Sequence, residues 1–227
     1  MMQRELAEKG CVLIPAYNEG SRIARVISEV MPFCPNVVVV DDGSEDDTAK
    51  VAEMAGAVVL VQPENQGKGA ALHRGFHYAR EKGFDFVITM DGDGQHAPED
   101  IPSFIEAYSD GMPVIVGNRM ARPDSMPLVR RITNRFMSWL LSRKMGQTVP
   151  DTQNGFRLYK TDVIPELRVD ANRFAAESEM LLELSARKVR IGSVPIKVIY
   201  RDEKSKINPI KDTWRFFRML RQWRRAS

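Results

Sequence analysis

The sequence predicts an α/β domain: a mostly parallel sheet with helices packed on both faces. Three observations point there. Strand-like and helix-like patterns alternate through the first half of the 227 residues, as a repeated β-α-β winding requires. The strand candidates are continuous apolar runs, which is how strands buried on both faces read. These runs also stop abruptly at carboxylates. The valines at 37–40 end in Asp41 and Asp42, and the run at 86–88 leads into Asp91 and Asp93. Ligands of open α/β sheets bind outside the carboxyl ends of the strands, so these acids are expected at a ligand-binding edge.

In chain order, residues 11–15 form a first apolar run, followed by Ala16, Tyr17, Asn18 and Glu19. Residues 21–30 carry Ile23, Val26, Ile27 and Val30 at helical spacing. After the valine strand, Ser44 or the acids at 45–47 cap the next helix. Residues 57–61 read as a third strand, 63–68 as a loop, and a helix then runs to about residue 82. The strand at 86–90 is central. Pro98 suits the first turn of a helix over 98–108. Residues 114–116 are a strand ending in Gly117, Asn118 and Arg119. The second half is less regular. Two prolines mark 121–127 as a loop. Residues 128–144 are a helix with Ile132, Phe136 and Leu140 on one face and several arginines elsewhere. Residues 151–160 read as an irregular strand, 175–187 as a helix, and 191–200 as a strand interrupted by Pro195. The catalytic domain is expected to span 1–200, with 201–227 a basic amphipathic segment.

Composition narrows the class. Hydrophobic residues make up 43% and charged residues 28% of the chain, enough apolar surface for a real core. The net charge of +3 does not by itself call for a polyanionic partner. From Arg201 onward, however, nine Lys/Arg face three Asp/Glu. Cys11 and Cys34 are the only cysteines, which suits a reducing compartment and offers no disulfide framework. The charged start lacks the apolar core of a signal peptide. No apolar run approaches 18 residues. A cytoplasmic protein is expected.

Asp91, Gly92 and Asp93 place two hard oxygen ligands one residue apart at a strand end. That donor set suits Mg²⁺ or Mn²⁺ held by few carboxylates together with substrate phosphates. Gly92 leaves room for a ligand near the backbone. Glu19, Asp41 and Asp42 end neighbouring strands, and acids gathered there repel unless a cation or a hydrogen-bonding base lies between them. The same carboxylates repel a phosphate backbone, which argues against nucleic acid as a partner. Gly67-Lys68-Gly69 superficially suggests a P-loop, but lacks its first glycine and the Ser/Thr after Lys. It reads instead as a tight turn opening a helix near a nucleotide. His73, His77 and His96 are not spaced as a zinc site. His96 lies beside the acidic pair, either supporting it or as an exposed loop residue.

The ordered set PAYNE (15–19), DDGSEDDT (41–48), NQGKGAAL (65–72), DGDGQH (91–96), GNR (117–119) and TQNGFRLYK (152–160) resembles the family 2 glycosyltransferases. It is most similar to those acting on dolichyl and polyprenyl phosphates. The resemblance covers about residues 12–206. It implies a GT-A fold, an inverting mechanism, a divalent metal and a nucleoside-diphosphate-hexose donor, GDP- or UDP-linked. Carried onto this chain, Pro15, Tyr17 and Glu19 line the nucleoside pocket, and Asp41 or Asp42 bonds the base. Asp91 and Asp93 hold metal and diphosphate, with Gln95 in the metal's shell and Lys68 near the nucleotide. Arg119 contacts a phosphate, and Arg201, Ser205 and Lys206 close over a donor or acceptor phosphate.

A sugar hydroxyl acceptor needs a general base. A lipid phosphate does not, because its second ionisation falls near pH 6 by analogy with phosphoserine. For a polyprenyl phosphate, arginines are the expected acceptor residues, and Arg130, Arg131 and Arg135 are available. Glu177 and Glu179 occupy the place of acceptor-side acids in the resemblance. Either they position a sugar hydroxyl or act as base, or they are acids favoured by a helix N-terminus. Ile210, Trp214, Phe217 and Leu220 recur at helical spacing among basic residues, the pattern of a helix lying in a membrane surface. The expected partners are therefore a nucleotide sugar, a polyprenyl phosphate and the cytoplasmic membrane face. A membrane-protein partner or a homodimer is the alternative cover for that stripe.

Overall fold

The computed structural model describes residues 2–121, 126–165, 176–197 and 199. The elements are α1 (Met2–Ala7), β1 (Gly10–Ala16), α2 (Ile23–Val30), β2 (Val37–Asp41), α3 (Thr48–Met54), β3 (Val58–Val61), α4 (Lys68–Glu81) and β4 (Phe86–Thr89). They continue with α5 (Ile101–Ser109), β5 (Val114–Asn118), α6 (Leu128–Met145), β6 (Arg157–Lys160), α7 (Ala176–Ala186) and β7 (Ile191–Pro195). The strands form one sheet in the order β3-β2-β1-β4-β6-β5-β7. β1, β2, β3 and β4 are mutually parallel, and β5 pairs parallel with β7. Only β6 runs against its neighbours, between β4 and β5. The expected mostly parallel α/β sheet is therefore present.

Alternate residues of each central strand feed two separate cores. Leu13, Val38, Val40, Val87 and Val116 face one side, where α4, α6 and α7 add Leu72, Phe76, Leu141 and Leu181. Val12, Ile14, Val39, Phe86, Ile88 and Ile115 face the other, against Ile23 and Ile27 of α2 and Phe104 of α5. Each fully buried side chain of this kind contributes about 1.5–3 kcal/mol. Gly75 shows how tightly the layers meet, since a Cβ there would stand 2.2 Å from Leu13 Cδ1. Substitution by alanine would push α4 off β1.

Several details differ from expectation. The charged start forms the short helix α1, which packs on α5. The irregular strand at 151–160 shortens to four residues, because Asp151, Thr152 and Asn154 are buried in a loop whose polar groups bond elsewhere. At α3 the N-cap residue Asp47 makes no side-chain cap bond, and the neighbouring acid Asp46 accepts the Thr48 N–H that opens the helix, together with the Thr48 hydroxyl and the Gly20 N–H. β7 ends at Pro195, and the Ile196 N–H still donates to the Asn118 carbonyl. The basic segment 201–227, with Arg201, Ser205 and Lys206, lies outside the described residues. Among the described residues, no helix is long and apolar enough to cross a membrane.

Candidate active site

Parallel pairing brings the acidic strand ends together. Ala16 stands in register with Asp41 and Leu13 with Thr89, and the Met90 N–H donates to the Leu13 carbonyl. The two loops that follow β1 and β2 are bonded to each other. The Asn18 N–H donates to Ser44 Oγ, the Glu45 N–H to Asn18 Oδ1, and the Glu19 N–H to Thr48 Oγ1, each at 2.9 Å. Glu19 accepts from Arg22 at 2.7 Å. Tyr17 is the exposed member of this wall. A Cβ on Gly92 would lie in ordinary contact with Glu19 and the Pro15 carbonyl. The β4 end thus meets the β1 end directly.

Asp41 and Asp42 have different surroundings. Asp41 Oδ1 accepts from the Ser44 N–H and hydroxyl. Asp42 accepts from the backbone N–H groups of Gln66 and Gly67, both at 2.8 Å, and from the Gln62 amide. Asp42 is thereby committed to holding the loop that opens α4, which leaves Asp41 the less occupied carboxylate of the two.

That loop delivers Lys68 to the centre of the site. Its Nζ lies 2.5 Å from Asp91 Oδ1 and 3.0 Å from Glu177 Oε1. Burial opposes charging Lys68, but the two carboxylates outweigh it and hold the ammonium above its usual range. Burial likewise works to raise the Asp91 carboxyl, and the charges of Lys68 and His96 reverse this, holding it well below the carboxylate range. Asp93 is pushed up, by burial and by the Asp91 charge beside it, although its Oδ1 accepts from the Gln95 N–H. Two like charges on one turn, one of them raised by the other, form a site that gains from a cation.

The residues fit a divalent metal of the expected kind. Among the described residues no cluster of three His, Cys, Asp or Glu encloses an ion. Asp91 and Asp93 would supply two ligands and leave the remaining positions to phosphate oxygens and water, which is how Mg²⁺ is commonly held. His96 is buried rather than an exposed loop residue. Its ring stacks on Phe156 at 5.1 Å. Nδ1 accepts from the Asp91 N–H, so the proton sits on Nε2, 3.8 Å from Asp91 Oδ2. Burial holds its pKa below the ordinary value. The described chain also returns to this turn, since the Ile199 N–H donates to the Gln95 carbonyl.

The far side of the edge rests on Asp151 and Arg157, which the sequence did not single out. Arg119 makes a bidentate pair with the fully buried Asp151, at 2.7 and 2.8 Å. Arg157, fully buried, donates to the carbonyls of Thr152, Asn154 and Glu177. It therefore fixes both the 152–156 loop and the first turn of α7, from which Glu177 projects. Gly155 lies against the charged group, where a Cβ would come within 3.1 Å of Glu177, Lys68 and Asp91 alike. The visible signal for Arg157 was an arginine inside an otherwise apolar strand pattern. Asp151 gave none, because its partner is 32 residues away.

A cavity of about 740 Å³ opens beside Asn118 and Met120, between β5 and α6. Arg131, Arg135 and Arg143 line it, and no carboxylate does. Arg130 is not part of the lining.

An acidic strand-end pair on a mostly parallel α/β sheet fits a glycosyltransferase of the GT-A type. The family description "Glycosyl transferase family 2" matches residues 11–168, and the chain belongs to that family. It is 32% identical to the UDP-N-acetylglucosamine–dolichyl-phosphate N-acetylglucosaminyltransferase of Methanococcus voltae, over 84% of this chain and 86% of that one. It is 31% identical to the dolichyl-phosphate hexose transferase of Haloferax volcanii, covering 87% and 86%. Identity is also 31% to the undecaprenyl-phosphate mannosyltransferase of Micrococcus luteus, covering 84% and 83%. Glucosyl-3-phosphoglycerate synthase of Mycobacterium tuberculosis, solved with Mn²⁺, UDP and glucosyl-3-phosphoglycerate, is similar in structure with a TM-score of 0.66. That match is at 20% identity, over 96% of this chain and 80% of that one, and the likeness speaks to the fold alone.

Proposed function

We propose that the chain transfers a hexose from a nucleoside-diphosphate sugar to a polyprenyl phosphate at a membrane surface, with inversion. The observation that carries the acceptor class is the cavity at α6, where three arginines and no acid suit a phosphate and offer no base for a hydroxyl. The relatives named above differ in the sugar they move but share a lipid-phosphate acceptor in their names.

In this reading Pro15, Tyr17, Glu19 and Asp41 line the nucleoside pocket. Asp91 and Asp93, with Gln95 beside them, hold Mg²⁺ or Mn²⁺, which when bound neutralises charge on the leaving diphosphate. Lys68 is mounted to serve the same oxygens. Arg131 and its neighbours orient the acceptor phosphate, and Arg119, held by Asp151, contacts a phosphate. One acceptor oxygen forms the new bond to the anomeric carbon as the bond to the diphosphate breaks. The bonding pair leaves on the nucleoside diphosphate. Positioning and charge supply the rate enhancement, and no proton needs a carboxylate. The resemblance adds Arg201 and Lys206 as phosphate contacts, in the segment outside the described residues.

Calorimetric titration of GDP and of UDP, each with and without Mn²⁺, tests the donor half. Binding of one nucleotide that needs metal and disappears in Asp93→Asn supports the site and names the donor class. No binding under any condition removes it. Turnover of polyprenyl phosphate by Glu177→Gln tests the acceptor half, because a hydroxyl acceptor served by Glu177 as base predicts a dead variant.

A further inference from the structure

Helix α6 presents its apolar stripe outward. Met137, Ser138, Leu141 and Met145 are its buried face. Leu128, Val129, Ile132, Phe136 and Trp139, at three- and four-residue steps on the opposite side, are 49–73% exposed. A surface helix of a globular protein ordinarily shows the reverse pattern. The Phe136 and Trp139 rings lie 6.0 Å apart, and the Arg143 guanidinium sits 5.6 Å over the Trp139 ring. The helix reads LVRRITNRFMSWLLSRKM, with Lys and Arg but no acid. We infer that this outward face of α6 docks on an anionic lipid bilayer, with the helix lying in the interface plane.

The inference rests on the lipid-phosphate reading above and assigns the surface that would meet the lipid. An apolar stripe flanked by cations is the composition of an in-plane interfacial helix. Trp and Phe sit at headgroup depth, and arginines extend along the apolar surface to reach the phosphates. Charge decides between occupants. A second copy packed on this face by two-fold symmetry would set like cations against one another. The 201–227 segment, with nine Lys/Arg and three Asp/Glu, would do much the same. An anionic bilayer neutralises the face instead. Arg131, Arg135, Trp139 and Arg143 also line the cationic cavity. Docking would therefore set that cavity beside the headgroup layer, where the phosphate of an embedded acceptor lies.

The test uses the full chain with Trp214→Phe and Trp223→Phe, which leaves Trp139 as its single tryptophan. Mixed phosphatidylglycerol–phosphatidylcholine vesicles should shift Trp139 emission to shorter wavelength, and phosphatidylcholine alone should shift it far less. In flotation, Val129→Ser with Ile132→Ser and Phe136→Ser should lower the vesicle partition coefficient about tenfold or more. Thermal melting should be unchanged, because all three side chains are exposed. Unmoved emission, or flotation of the triple variant equal to wild type, overturns the inference. So does emission that moves with protein concentration alongside a dimer in sedimentation. Emission that reddens in vesicle-free buffer when residues 201–227 are deleted overturns it too, by naming the tail as the cover. Turnover of a short, water-soluble polyprenyl phosphate is a separate readout: its absence from both proteins removes the acceptor reading and leaves the flotation result standing.

Discussion

The two halves of the sheet edge are assembled differently. On the β1, β2 and β4 side, carboxylates stand at the ends of parallel strands and are placed by strand register and short loops. Each comes from within a few residues of its strand. On the β5 and β6 side the buried charged groups are Arg119 and Arg157, each placed by partners elsewhere in the chain, while α6 supplies the arginines of the cavity. Arg119 is held by Asp151, and Arg157 by carbonyls up to 20 residues away. The acidic half is placed by local geometry, although Asp42 and Asp91 also reach partners more than 20 residues away. The basic half is tied into the fold, so changes there cost stability as well as chemistry.

The sharpest way to break this contrast is Asp91→Asn. It should lower kcat by about 10²–10³-fold, the order seen when a principal charge-stabilising group is lost, with a smaller cost in stability because Lys68 loses one of its two carboxylate partners. A steady-state assay paired with thermal melting reads both. Asp151→Ala should do the opposite. Removing the bidentate partner of buried Arg119 should cost about 3–5 kcal/mol in urea unfolding, and a double variant with Arg119→Met should recover part of it. If Asp151→Ala melts like wild type, the basic half is not tied in as described.

Arg135→Ala sharpens the comparison within the cavity. Losing one charge-assisted contact of about 1.5–3 kcal/mol should raise the acceptor KM roughly tenfold or more, while nucleotide binding stays as in wild type. The smallest expected effect is in pH. The folded His96 pKa lies below the ordinary value of 6.5, so below that value the unfolded chain takes up a proton that the folded chain refuses. This contribution to stability is full above pH 6.5 and is lost as pH falls toward the folded value, by at most about 1.4 kcal/mol per pH unit. Asp91, held well below its usual range, stays ionised through that window. His96→Asn should flatten the melting temperature between pH 7.5 and 5.5 in metal-free buffer.

The acidic half was largely legible because its residues and the strands that place them are contiguous. Apolar runs, their abrupt ends and the acids after them all appear within single stretches. The acidic motifs fell on adjacent strands because parallel pairing brings such ends to one edge. The role of Asp42 was not legible, since its hydrogen bonds go to backbone N–H groups more than 20 residues away. The same holds for Asp151. Burial of His96 follows from the stack on Phe156, a residue 60 positions later. The face formed by Ile132 and Phe136 was visible as a stripe, but helical spacing alone does not say whether a stripe turns inward or outward.

The mooring of the 62–67 loop bears on which sequences this fold can accept. Surface loops ordinarily absorb insertions and deletions. Here one carboxylate, Asp42, grips the segment at Gln62, Gln66 and Gly67. The Gln62 N–H is bonded to the Asp41 carbonyl, and the Gly43 position has no space for a Cβ against Glu64 and Asn65. The stretch has no slack. One residue more or fewer would shift the first turn of α4 and draw Lys68 away from both carboxylates at once. Its length is fixed as firmly as that of a strand, although it has the composition of a loop.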